Sequence, residues 1–108
     1  MRLDDSLIVV HVVGRSMEPR IPDGSLNVFR LNPAGSRQNK IVLVELLGEL
    51  DDSARYTIKK YTSRKTQLTE DEWEHESIRL EPLNPEFQAF TLEPQGLRVI
   101  AEWLRTLD

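Results

Sequence analysis

The stretch Val12-Val13-Gly14-Arg15-Ser16-Met17-Glu18-Pro19-Arg20-Ile21-Pro22-Asp23-Gly24-Ser25 carries a serine on a forced bend. An apolar run ends at Gly14, which permits backbone angles that residues with a Cβ avoid. Pro19 cannot donate a backbone hydrogen bond, and Pro22 and Asp23-Gly24 turn the chain again. Ser16 is thereby expected on a rigid bend beside a buried strand, where the approach to its hydroxyl is set before a substrate arrives. A serine in a turn can equally do no more than bond the local backbone. To act as a nucleophile it needs a base, because a hydroxyl is weak until its proton is taken.

Lysine and histidine are the bases on offer. Arg55-Tyr56-Thr57-Ile58-Lys59-Lys60-Tyr61 is a β-rich run with lysines inside it. Strand alternation puts Tyr56, Ile58 and Lys60 on one face and Thr57, Lys59 and Tyr61 on the other. A lysine acts as a base only as a neutral amine, which requires burial, since desolvation disfavours the ammonium form. If its strand face turns inward, Lys59 beside Thr57 and Tyr61 is expected to meet that condition. His11 shares a strand face with Val9 and Val13 and reads as a half-buried strand histidine. His75, between Glu74 and Glu76, reads as part of a solvated acidic face, with no partner at metal-ligand spacing. A Ser–His–Asp triad through either histidine needs a carboxylate orienter that the sequence does not single out.

The elements around these residues read as short strands. Leu7 to Val13 is a β-branched run, too short and Val-rich for a helix. Asp23-Gly24 turns into a second strand, Leu26 to Leu31, and Asn32 to Ser36 is a loop. Ile41 to Leu47 and Arg55 to Thr62 are the next strands. Ser63 to Glu76 is polar and reads as an exposed loop or short hairpin. Ser77 to Glu81 and Phe87 to Leu92 are strands joined across Asn84-Pro85. In Leu97 to Leu104, Val99, Ala101 and Trp103 alternate with Arg98, Ile100 and Glu102, which favours a strand ending the chain as an exposed edge. The expected fold is all-β, a single domain over residues 1–108 built of coiled, partly barrel-like antiparallel sheets.

Composition narrows the function. The 108 residues suffice for one modest core. A formal charge of −4 argues against a phosphate-backbone binder. With no cysteine there is neither a disulfide nor a thiolate site. No apolar stretch approaches the roughly 20 residues of a membrane helix, and no signal peptide opens the chain. A cytoplasmic protein that binds no nucleic acid, membrane, metal or cofactor is expected.

Gly-x-Ser-Met-x-Pro…Asp-Gly around Ser16, followed by Thr57-Ile58-Lys59, resembles the LexA-type self-cleaving serine peptidases, with phage repressor C-terminal domains, UmuD proteins and, more distantly, signal peptidases as relatives. Leu80-Glu81-Pro82-Leu83-Asn84-Pro85-Glu86-Phe87 is similar to that family's L-x-P-x-N-x-x-[FY] strand and turn. The resemblance chooses Lys59 over Lys60 and implies a Ser16–Lys59 dyad. It implies an oxyanion hole of backbone N–H groups at Arg15 and Ser16, and peptide-bond hydrolysis through an acyl-enzyme. Met17 and Ile21 read as packing and as walls of the substrate groove. The family often has a glycine before its third strand. Here Arg37-Gln38-Asn39-Lys40 stands there, so a different turn is expected.

The resemblance also implies a peptide substrate from the protein's own full-length chain, homodimerisation through C-terminal strands, and a place in SOS-type or phage-type transcriptional regulation. Family members cut a small-residue bond, often Ala-Gly, some tens of residues before the serine. Only fifteen residues precede Ser16 here, so the chain reads as a domain excised from a longer protein, or already processed. Ala34-Gly35 is such a dipeptide but follows the serine, in a turn, and reads as coincidence. A DNA-binding repressor is not expected of this chain alone, because nothing before Leu7 has room for a helix-turn-helix. The competing reading is a non-catalytic dimerisation or partner-sensing module with the same fold.

Overall fold

A computed structural model describes residues 5–49, 51, 55–67 and 74–107. Among these the architecture is all antiparallel β: β1 (Leu7–His11), β2 (Leu26–Leu31), β3 (Lys40–Leu46), β4 (Tyr56–Gln67), β5 (Glu74–Glu81), β6 (Phe90–Leu92) and β7 (Leu97–Thr106). A 3₁₀ turn, Pro94–Gly96, precedes β7. The strands form one seven-stranded sheet in the order β1-β2-β7-β3-β4-β5-β6.

The place of β7 corrects the sequence reading. It is not an edge strand: Leu97 to Glu102 pair with β3, and Ala101 to Thr106 pair with β2. The ladder shifts register on both sides, between Val28 and Phe29 and between Leu43 and Val44. Such irregularities bend a strand and increase its local twist. The ladder between β7 and β3 ends at Glu102. Two cross-strand ion pairs, Lys40–Glu102 at 3.3 Å and Arg98–Glu45 at 2.7 Å, join β3 to β7.

Of the two readings for 63–76, a loop or a short hairpin, the described residues follow the hairpin. β4 continues to Gln67 and β5 begins at Glu74, so a long hairpin replaces most of the loop; residues 68–73 fall outside the description. Lys65 stands opposite Glu76 in this arm, and opposite charges across a ladder stabilise it modestly. Asn39 solves the turn before β3 that lacks the glycine. It adopts φ +64°, a left-handed conformation that Asn tolerates better than most residues.

The core has two centres. One gathers Val42, Val44, Ile78, Leu80 and Leu97. The other gathers Val12, Met17 and Ile21, with Ile41, Ile58, Leu83 and Trp103 against them. Asn27, fully buried on β2, links this region to β7: its Oδ1 accepts from Trp103 Nε1 at 3.0 Å and from Thr106 Oγ1 at 2.7 Å. Arg20 lies over the Trp103 ring, 5.2 Å from its centroid.

Candidate active site

After β1 the chain runs out to a tight excursion and returns as β2. Val12 N–H donates to Ser25 O at 2.9 Å and Gly24 N–H to Val12 O at 2.8 Å, which closes the neck of the loop. Gly14 sits at φ +115°, and its N–H donates to Asp23 Oδ1 at 2.8 Å. Arg15 Nε donates to Glu18 Oε1 at 2.7 Å, and Asp23 N–H to Glu18 Oε2 at 3.2 Å. The Arg15 hydrogen bond and the one from Asp23 hold the Glu18 carboxyl below the usual carboxylate range. Met17 and Ile21, 2 % and 0 % exposed, pin the loop to the core. Ser16 is therefore fixed on both sides, by a polar lacing and an apolar anchor.

Lys59 approaches from β4. Pairing of β4 with β5 begins only at Lys60, opposite Glu81, so Tyr56 to Lys59 have no strand partner on that side among the described residues. The alternation expected from sequence places Lys59 opposite the core residue Val42 and Thr57 opposite Val44. The Lys59 residue is only 9 % exposed. Its Nζ lies 3.0 Å from Ser16 Oγ, 2.7 Å from Thr57 Oγ1 and 3.1 Å from Ile58 O. No carboxylate among the described residues forms an ion pair with it. Burial accordingly pushes its pKa below the ordinary lysine value.

These contacts suit either protonation state. An ammonium donates to all three oxygens; a neutral amine donates to Thr57 Oγ1 and Ile58 O and turns its lone pair toward the Ser16 hydroxyl. The second arrangement is that of a base with its nucleophile. Lys60 is turned elsewhere, into a separate cleft with Arg20, Lys40 and Trp103.

A cleft of about 260 Å³ opens beside Ser16, walled by Val12, Val13, Met17, Leu43, Tyr56 and Ile58. Ile21 does not line it: fully buried, it supports the loop from behind rather than walling a groove. His11 is exposed on the cleft's lining rather than half-buried. The side chain of His75 lies outside the description. Among the described residues, no three His, Cys, Asp or Glu side chains gather to hold a metal ion. No helix there is long and apolar enough to cross a membrane.

Sequence reasoning missed what stands behind the serine. Leu83 N–H and Asn84 N–H both donate to Ser16 O at 3.0 Å, and Asn84 Nδ2 donates to Arg15 O at 3.0 Å. In sequence Asn84 stands out as the asparagine of the L-x-P-x-N-x-x-[FY] strand and turn, but nothing local tells of a partner 69 residues away. The N–H groups of Arg15 and Ser16 have no acceptor among the described residues.

A family model described as Peptidase S24-like matches residues 1–104 of the chain. No individually curated protein matches it.

Proposed function

The chain belongs to the Peptidase S24-like family, that of the LexA- and UmuD-type domains, and from that premise we propose that it is a serine endopeptidase with Ser16 as nucleophile and Lys59 as general base. The observation that carries this reading is the 3.0 Å approach of a buried lysine, unpaired with any described carboxylate, to a serine hydroxyl. Burial favours the neutral amine that the chemistry requires.

In the proposed cycle Ser16 Oγ attacks the scissile carbonyl as its proton passes to Lys59 Nζ. The tetrahedral oxyanion rests on the N–H groups of Arg15 and Ser16, which point to no other acceptor. Collapse breaks the C–N bond, and the Lys59 ammonium returns its proton to the leaving amine. Water then attacks the Ser16 ester with Lys59 again as base, releasing the acid and restoring the hydroxyl. No step draws on a metal or cofactor.

The substrate is an extended peptide, for which the cleft offers apolar walls and the unpaired stretch of β4 offers backbone groups. Met17 contributes to the cleft wall. A segment of the protein's own chain fills this role, tying cleavage to SOS-type or phage-type regulation. The test is hydrolysis of a supplied peptide by the wild-type chain and by Ser16→Ala. Loss of turnover in the variant supports the dyad. Equal rates would leave a non-catalytic dimerisation or partner-sensing module.

A further inference from the structure

We propose that Asn84 is a positioning residue for the oxyanion hole, an inference that rests on the peptidase reading above. The two carbonyls flanking the Ser16 Cα are both held from one side: Arg15 O by Asn84 Nδ2, and Ser16 O by the Leu83 and Asn84 N–H groups, each at 3.0 Å. In a trans planar peptide the C=O and N–H point in opposite directions. Drawing Arg15 O toward Asn84 therefore aims the Ser16 N–H away from Asn84. Holding Ser16 O as well fixes the backbone on both sides of Cα, and with it the base from which Oγ projects.

Asn84 is itself well determined. It is 8 % exposed, and its Oδ1 accepts from Glu86 N–H at 3.0 Å. That bond settles which end of the carboxamide faces Arg15: the amino group, a donor, and not the oxygen. Asn84 does not line the cleft beside Ser16. It borders a separate depression with Arg15, Glu18 and Pro85, which shares no lining residue with the cleft. It is placed to act through the peptide it holds rather than as a wall of the cleft.

The experiment compares the wild-type chain with Asn84→Ala and Asn84→Asp on a supplied peptide, and measures inhibition by a peptide boronic acid, whose adduct with Ser16 imitates the tetrahedral anion. Asn84→Asp keeps an oxygen for Glu86 N–H while losing the donor to Arg15 O, so it guards against failure of the alanine variant to fold. The expected result is a fall in kcat of up to about 10²-fold, the lower end of the loss on removing an oxyanion donor, at unchanged KM. Boronate affinity should fall by the same factor. The pH midpoint of Asn84→Ala should stay at the wild-type value, because the Lys59–Ser16 contact is intact. Unchanged kcat in both variants overturns the inference alone, and so does a rise in KM or a moved pH midpoint, which marks general distortion. A wild-type chain without Ser16-dependent hydrolysis overturns the peptidase reading and this inference together.

Discussion

Lys59 Nζ lies 3.0 Å from Ser16 Oγ, a contact between residues 43 positions apart made by a strand and a turn that share no ladder. If that contact is the working dyad, Lys59→Met should lower peptide hydrolysis by about 10²–10⁴-fold, the usual worth of a general base. Lys60→Met should leave the rate near the wild-type value, since Lys60 faces another cleft. Wild-type activity should rise with pH through the folded pKa of Lys59 and level above it. Steady-state rates across neutral to alkaline pH check all of these; a dead Lys60→Met with an active Lys59→Met would move the base by one residue.

The same lysine should tie stability to pH. Its folded pKa lies below its unfolded one, with desolvation as the cause. Between the two values the unfolded chain binds more protons, so this residue makes stability increase with pH there. Below the folded pKa the full cost of a buried ammonium is present; above the unfolded pKa it is gone. Lys59→Met keeps much of the stem's volume without the charge. Its urea midpoint should equal or exceed that of the wild type at neutral pH, and the gap should close as pH rises past the unfolded value.

Asn27 offers a test of how β2 holds β7. Its Oδ1 accepts from both Trp103 Nε1 and Thr106 Oγ1. Asn27→Ala strands two donors in a part-buried setting, at about 1–3 kcal/mol for each group left unsatisfied. Urea unfolding should show a lower midpoint at unchanged slope. A loss under about 0.5 kcal/mol, the range of ordinary surface substitutions, would mean that water replaces Asn27 there.

Self-association is a further expectation, on narrower ground than an exposed terminal strand. The first half of β7 is paired with β3, and that ladder ends at Glu102, just before Leu104. Trp103 is a poor probe, since it bonds Asn27 and stacks under Arg20. Leu104, 37 % exposed, is the better one. Sedimentation at micromolar concentration should show a dimer that Leu104→Lys weakens, because a charge at an edge discourages strand addition. A monomer at every concentration would sink the proposal.

The Ala34–Gly35 bond should resist cleavage. Gly35 stands at φ +80°, in the turn between β2 and β3, and a left-handed residue does not lie extended along an open strand edge. Mass spectrometry after long incubation at alkaline pH should find this bond intact. A Ser16-dependent cut there would overturn the expectation.

The amino-acid sequence by itself determined whatever depends on neighbours in the chain. β-Branched runs set the all-β class, Gly14 and Asp23-Gly24 set the bends around Ser16, and period-two alternation put Lys59 on a face with Thr57. What it left undetermined depends on pairing between distant segments. The alternation of Val99, Ala101 and Trp103 says that β7 is a strand but not that β2 and β3 take it between them. The polar run after Thr62 carried no apolar period, so only its partner in β5 reveals it as strand. Ile21 reads the same whether it walls a cleft or fills a core, because apolar character does not encode which side faces solvent. Asn84 is a turn residue in sequence; only the fold brings its amino group to the Arg15 carbonyl, since a side-chain donor has no preferred acceptor until tertiary contacts bring one within about 3 Å.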